Sequence, residues 1–195
     1  MTSRLTEIAW PVRTDRTTIR PAAKPDADAT WRYRRLEPVS RWLTTAPKTP
    51  EDYRRKFDER ERLTKTLVLE LDGVIIGDLM LAIEDAWAQS EVAARARGVQ
   101  AELGWCLDPG YTGKGYATEA VNALIRLCFE DLALRRVIAN CFADNVASWH
   151  LMERLGMRRE AHTVRESLHR SGEWLDGMSY ALLADEWRAR ASASS

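Results

Sequence analysis

The sequence predicts an α/β fold: one domain with a mixed, largely antiparallel, twisted sheet flanked by helices. Three observations predict it. Residues 66–71 and 74–83 are β-branched and apolar runs joined by Asp72-Gly73, a pair that tolerates φ > 0 and so suits a two-residue hairpin turn. Between residues 101 and 155, apolar runs alternate with segments of helical periodicity, giving strand, helix, strand, helix. No low-complexity linker divides the chain, so residues 1–195 are expected to form one domain. Its core should run from about residue 15 to about 185, followed by a short disordered Ala/Ser tail after Arg190.

The elements follow in order. A strand is predicted over 17–20, and Asp26 or Asp28 can start a helix that Pro38 interrupts. Pro50 opens a helix through Leu63, whose exposed face carries the four-residue pairs Glu51/Arg55, Asp52/Lys56 and Asp58/Arg62. After the hairpin, the Ala-rich charged stretch 84–97 reads as an inserted loop with some helix, ended by Gly98. A strand over 101–107 precedes a helix over 115–129, where Ala117, Ala120, Val121, Leu124 and Cys128 make one apolar face. A strand at 136–142 leads to a helix at 145–155 closed by Gly156. Two more strands, broken at Ser171-Gly172, end near residue 183.

Composition excludes several classes of function. The chain has 195 residues with 29 Lys plus Arg against 29 Asp plus Glu, and 45% are hydrophobic, which is inconsistent with a disordered protein. A chain of this length buries roughly 70% of its unfolded surface without metal or disulfide staples. Zero formal charge and the lack of a polybasic arm argue against a nucleic-acid partner. Cys106, Cys128 and Cys141 each lie inside an apolar run, as small buried hydrophobes in a reducing compartment do. Residues 1–10 include Arg4 and Glu7, and no segment has the ~18 apolar residues of a membrane span. The expectation is a cytoplasmic protein without a membrane partner. His150, His162 and His169 show no ligand spacing with Cys or acids, so no metal is expected.

The chemically informative segment is 108–119, Asp-Pro-Gly-Tyr-Thr-Gly-Lys-Gly-Tyr-Ala-Thr-Glu, between a strand and an amphipathic helix. Gly113 and Gly115 let backbone N–H groups crowd inward, and the helix start adds unpaired N–H groups and a positive dipole end. Such a turn can hold phosphate or serve only as a helix entry. It is not a P-loop, because two residues separate Gly110 from Gly113 and Gly115 follows Lys114. Nor is it a dinucleotide fingerprint, which would place Gly or Ala where Thr118 stands.

Glu102-Leu103-Gly104-Trp105, Asp108-Pro109, Gly113-Lys114-Gly115-Tyr116-Ala117-Thr118-Glu119-Ala120, Asn145 with Ser148, and Leu155-Gly156-Met157 occur in the order typical of GNAT acyl-CoA N-acyltransferases. The chain resembles that superfamily over about residues 15–185, and within it the Rim-type branch that acetylates N-termini of ribosomal proteins. The resemblance implies a mostly antiparallel sheet of about six to seven strands with about four helices and a parallel pair that splays apart. It implies acetyl-CoA as cosubstrate, its pyrophosphate on Thr112, Gly113, Lys114, Gly115, Tyr116, Ala117 and Thr118, and its pantetheine arm against backbone groups of Trp105, Cys106 and Leu107. Thr112 replaces the family's Gln or Arg. Asn145 matches a cofactor-contacting amide and also suits a helix N-cap.

Many family members carry a Tyr seven residues after this Asn to protonate the departing thiolate; this chain has Met152. Ser148 matches the Rim-type Ser that stands near the sulfur. Glu102 and Glu166 are alternative bases for the amine, Glu166 matching the Rim-type Glu that acts through water; either could instead be a solvent-facing strand residue. An α-amine, with pKa about 7.7 to 8.0, needs far less base than a Lys amine at about 10.4. Trp31, Tyr33 and Trp42 are candidate walls of an acceptor pocket, or core. The expected reaction is acetyl transfer to a primary amine by direct attack, foremost to a protein or peptide N-terminus. A small amine such as an aminoglycoside, with residues 84–99 forming a pocket wall, and a cofactor-binding module without turnover are the alternatives. A homodimer through an exposed sheet edge stays open.

Overall fold

The computed structural model of the chain describes Arg4–Ala193; Ser194 and Ser195 of the expected tail lie outside the described residues. Its strands are β1 (Val12–Arg13), β2 (Thr18–Pro21), β3 (Thr66–Leu71), β4 (Val74–Glu84), β5 (Gln100–Leu107), β6 (Arg136–Phe142), β7 (Arg158–Leu168) and β8 (Trp174–Leu183). The sheet order is β1-β2-β3-β4-β5-β6-β8-β7, mostly antiparallel with β5 and β6 parallel. The helices are α1 (Asp26–Arg34), α2 (Glu37–Ser40), α3 (Pro50–Phe57), α4 (Arg60–Leu63), α5 (Tyr116–Glu130), α6 (Val146–Arg154) and α7 (Ala184–Ala193). No described helix is long and apolar enough to cross a membrane. The chain divides into two compact units, one up to Leu81 with Gly104–Leu124, the other Ala82–Leu103 with the described residues from Ile125.

In the first unit, β1, β2, β3 and β4 pair antiparallel in sequence order. The predicted hairpin turn holds Asp72 at φ 50° and Gly73 at φ 78°, the left-handed pair its residues permit. Beneath the sheet, Tyr33, Tyr53, Phe57, Val68, Ile75 and Cys106 form a buried cluster. The helix expected over residues 50–63 is two pieces, α3 capped by Thr49 accepting from the Asp52 N–H at 3.1 Å, and α4. The break falls at Asp58-Glu59, where Asp58 turns to Lys24 at 2.7 Å instead of pairing with Arg62. On α3 the ion pairs run three residues apart, Arg54 with Glu51 and Arg55 with Asp52. Pro38, expected as a breaker, sits in the first turn of α2, where a missing N–H costs nothing.

This unit also buries an ionic cluster. Asp78 on β4 accepts from the Tyr33 hydroxyl at 2.8 Å and from Arg34 Nε at 3.1 Å, both from α1. Burial opposes the Arg34 charge, but the Asp78 carboxylate beside it outweighs burial and fixes the guanidinium as a cation.

In the second unit, β6 pairs antiparallel with β8 and β8 with β7. The parallel β5–β6 register comprises Gln100↔Arg136, Ala101↔Val137 and Glu102↔Ile138, while the strands continue to Leu107 and Phe142. The inserted stretch contains one 3₁₀ segment, Ser90–Ala96. β7 carries a register shift between Thr163 and Ser167, which places Arg165 at φ 48°. Beyond the last predicted strand, α7 continues from β8, with Trp187 5.7 Å from Phe129 between ring centroids. Its polar sequence, Ala-Asp-Glu-Trp-Arg-Ala-Arg, has good helix formers but no apolar stripe to reveal it.

Candidate active site

The site residues fall into two groups, one in each unit. The first is the turn between β5 and α5. Asp108 accepts from the Gly110 N–H at 3.0 Å and is held by Arg32 at 3.1 Å. Thr112 Oγ1 folds back to donate to the Pro109 carbonyl at 2.9 Å, and Lys114 Nζ donates to the Gly110 carbonyl at 3.1 Å. Gly113 and Gly115 lie at φ 74° and 83°, and the position a Cβ would take on Gly113 has nothing within 4 Å. The turn is exposed, and the first N–H groups of α5 have no intrahelical acceptor. An anion would find N–H donors there without meeting a side chain. Tyr116, Ala117 and Thr118, in the first turn of α5, are half-buried.

Arg16 is the residue of this group that sequence reasoning missed. Its Nε binds Glu119 at 2.7 Å, its backbone N–H donates to the same carboxylate at 2.9 Å, and Nη1 donates to the Lys114 carbonyl at 3.0 Å. Its guanidinium lies 4.5 Å from the Tyr116 ring centre. Thr14 Oγ1 adds a short bond of 2.5 Å to Glu119. Burial works against the Glu119 charge, and these hydrogen bonds outweigh it, holding the carboxyl below its ordinary range. A guanidinium from the β1–β2 turn thus pins the glycine loop where Thr112 supplies no long polar side chain. Nothing local in Thr-Asp-Arg could have announced a partner 103 residues away.

Along β5, the Asp108 N–H donates to the Ile76 carbonyl at 2.8 Å, and the Cys106 carbonyl lies 2.6 Å from where a Cβ on Gly77 would stand. The backbone of these alternate positions therefore faces β4, and Trp105 and Leu107, one position out of phase, direct theirs to the other edge. Cys106 is corrected accordingly. Its carbonyl lies against Gly77 of β4, and its buried thiol, pushed far up by burial, belongs to the core. Tyr33 is corrected too: it is fully buried with its hydroxyl on Asp78, so it walls no pocket. Trp31 is half-buried against Tyr53 at 5.1 Å, and Trp42 is half-buried under Arg41 at 4.7 Å.

The second group surrounds β6. Asn145 takes the N-cap position of α6, yet its side chain makes no capping hydrogen bond, so the capping reading accounts for the backbone and not for the amide. One turn on, Ser148 hydrogen-bonds the Cys141 thiol, which burial raises to about 11 against that bond. Met152 is buried, so the Tyr position of the family is core here. On β6, Cys141 and Asn140 are adjacent and point to opposite faces. Asn140 Nδ2 donates to Glu102 Oε1 at 3.0 Å, and Asn140 Oδ1 accepts from Ser179 Oγ at 2.7 Å. Ser179 shares its face of β8 with Gly177, and the Cβ position of Gly177 is 3.4 Å from Glu166 Oε2. Glu166 is exposed and accepts from Thr163 Oγ1 at 3.1 Å and Ser167 Oγ at 3.3 Å. The two carboxylates therefore occupy one face of this sheet, and Ser148 the other.

Among known proteins, a family model described as Acetyltransferase (GNAT) domain matches residues 16–158. The chain is 40% identical over 86 residues to the uncharacterized N-acetyltransferase YnaD of Bacillus subtilis, covering 44% of this chain and 50% of that protein. It is 32% identical over 85 residues to the [Ribosomal protein uS5]-alanine N-acetyltransferase of Escherichia coli, covering 44% of this chain and 43% of that protein. The chain thus matches about half the length of these curated relatives. Over 90% of its length it superposes on 99% of a GNAT-family acetyltransferase from Bacillus anthracis, with a TM-score of 0.76 and 29% identity. The chain belongs to the GNAT acetyltransferase family.

Proposed function

We propose that the chain is an acetyl-CoA-dependent N-acetyltransferase acting by direct attack in a ternary complex, and that its acceptor is the α-amine of a protein or peptide N-terminus. The observation that carries this reading is the division of groups across β6: carboxylates on one face, a hydroxyl on the other. Bound acetyl-CoA supplies an acetyl thioester. The N–H groups of residues 113–118, with Arg16 bracing the turn, are suited to its pyrophosphate, and the backbone edge of Trp105 and Leu107, out of phase with the positions that face β4, to its pantetheine amides. Asn145, its amide unspent on capping, is a further contact.

The amine nitrogen forms the new C–N bond as the C–S bond breaks. Glu102 Oε2 or Glu166 takes the ammonium proton directly or through water, the second N–H proton released as the amide forms passes through water to the departing thiolate, and Ser148 Oγ donates a hydrogen bond that steadies the sulfur as it leaves. Carboxylate and hydroxyl on opposite faces let the amine approach from one side while the thiolate leaves on the other. An acid–base pair of this kind raises the rate about 10²-fold or more per group. Both buried cysteines have suppressed thiolates and Cys141 is held by Ser148, which disfavours a covalent acyl-enzyme.

The α-amine is favoured because an N-terminus with pKa about 7.7 to 8.0 presents roughly a tenth of its population neutral at pH 7 to an exposed carboxylate such as Glu166. The name of the Escherichia coli relative, which specifies an alanine acceptor, supports it. In this reading both units serve one acetyltransferase domain, as the family match across them supports, and the free thiols fit a reducing, cytoplasmic setting. The test supplies acetyl-CoA labelled in the acetyl group to a host lysate with the protein, then separates proteins from small molecules for mass spectrometry. Label on protein N-termini is expected. Label confined to small amines would transfer the assignment to a small-molecule acetyltransferase, and binding without label in either fraction would make the chain a non-catalytic module.

A further inference from the structure

An asparagine is uncommon inside a strand, because its side chain competes for backbone hydrogen bonds and gains little from the pleated surface. Asn140 stands in the middle of Arg-Val-Ile-Ala-Asn-Cys-Phe on β6, directly opposite Ser179 on β8. Its two polar ends are both spent: Oδ1 accepts from Ser179 Oγ at 2.7 Å and Nδ2 donates to Glu102 Oε1 at 3.0 Å. Glu102 pairs with Ile138 at the last registered position of the parallel strands, and Asn140 lies two residues beyond on the same face. The amide therefore draws the carboxylate forward, past the end of the paired segment.

We propose that Asn140 and Ser179 are positioning residues for Glu102, making it the carboxylate that accepts the amine proton; this rests on the acetyltransferase reading above. A Glu side chain has three rotatable bonds, and a bond at Oε1 selects one arrangement while leaving Oε2 for the proton. The Glu102 carboxylate, which can only accept, fixes which end of the amide faces it, and the Ser179 hydroxyl, donating to Oδ1, anchors the other end. Rotating the amide by half a turn would set its oxygen against the carboxylate, and the Ser179 bond keeps the amide in place so that Nδ2 stays on Oε1. Asn140 donates one charge-assisted bond and Ser179 orders the donor, so Ser179 acts only through Asn140.

The experiment uses the full chain, acetyl-CoA and a synthetic peptide beginning with alanine, and compares Glu102→Gln, Asn140→Asp, Ser179→Ala and Ser179→Thr. Asn140→Asp keeps the shape, replaces the donor by an acceptor and sets a second carboxylate against Glu102, so Ser179→Ala and Ser179→Thr supply the charge-neutral comparison. Asn140→Asp should lower kcat about tenfold or more with the acetyl-CoA KM within about twofold, and Ser179→Ala should lower kcat several-fold. Ser179→Thr, which keeps the hydroxyl, should restore the rate, and adding Ser179→Ala to Asn140→Asp should cost nothing further. A merely structural polar row would lower stability without this kcat-only loss or the recovery with Thr. If Glu102→Gln loses about a hundredfold while Asn140→Asp and Ser179→Ala stay within twofold, the positioning role is overturned and the base assignment stands. If Glu102→Gln is silent while the wild type turns over, the assignment of the base to Glu102 falls and takes the positioning role with it.

Discussion

Replacing Asp78 by Ala should destabilise the chain severely, because it strands a guanidinium where water cannot compensate it. The Asp78 side chain is 8% exposed and that of Arg34 15%. Two bonds end on its Oδ1, from the Tyr33 hydroxyl at 2.8 Å and from Arg34 Nε at 3.1 Å. Hydrogen bonds to charged groups are worth about 1.5 to 3 kcal/mol each, and removing one partner of a buried ion pair costs about 3 to 5 kcal/mol in total. A domain of this size loses about 2 to 4 °C of melting temperature per kcal/mol, so the expected fall is about 6 to 20 °C. Circular dichroism melts measure it. The triple variant Tyr33→Phe, Arg34→Met, Asp78→Leu should recover most of the loss, since apolar groups of similar volume remove both desolvated charges and the hydroxyl that Asp78 accepts from. A fall of less than about 2 °C for Asp78→Ala would refute the reasoning, because it would mean that Arg34 finds water or another anion at no cost.

Other predictions concern the loop and the leaving group. Arg16→Ala should raise the acetyl-CoA KM about fivefold with kcat little changed; the guanidinium is half exposed, so its bonds to Glu119 and Lys114 are worth about 1 kcal/mol. Folding lowers the proton affinity of Glu119, so its bonds stabilise the fold above the ordinary value of 4.5, and that contribution is lost as pH falls through the lower folded value. The melting-temperature gap between wild type and Glu119→Gln should therefore narrow in acid and hold at neutral pH. Gly115→Val forces a β-branched residue to φ 83° with Arg16 Nη2 only 3.3 Å from its Cβ, and should cost about 1 to 3 kcal/mol and weaken acetyl-CoA binding in a calorimetric titration. Ser148→Ala should lower kcat about a hundredfold while leaving both KM values in place; a loss under threefold would remove Ser148 from the leaving-group role.

Local signals carried most of the fold. The Asp-Gly hairpin, the amphipathic α5 and the Gly-closed α6 each rest on residues close in sequence, and they appear within a residue or two of expectation. What was missed lacks such signals: β1 is two residues long, α2 four, and α7 has no apolar stripe. Ion pairing misled at Asp58, which met Lys24 from another segment, because four-residue spacing cannot see tertiary partners. In the site, the glycines of the turn were legible as backbone chemistry. Arg16, Asn140 and Ser179 were not, since their roles arise from sequence separations of 103, 38 and 39 residues. Tyr33 and Cys106 show the same limit: residue type left Tyr33 open as pocket wall or core and burial makes it core, while the Cys106 thiol is buried as expected and strand phase turns its carbonyl toward β4.

The proposed function rests on carboxylates on one face of β6 that activate an amine for attack on acetyl-CoA. Its most direct test incubates the wild type and the Glu102→Gln, Glu166→Gln double variant with acetyl-labelled acetyl-CoA and a peptide beginning with alanine, and follows the mass of the peptide N-terminus over time. Steady labelling of the α-amine is expected from the wild type, with a loss of about a hundredfold or more in the double variant. Label transfer by the double variant within about threefold of wild type would contradict it, because general-base catalysis is worth far more than that.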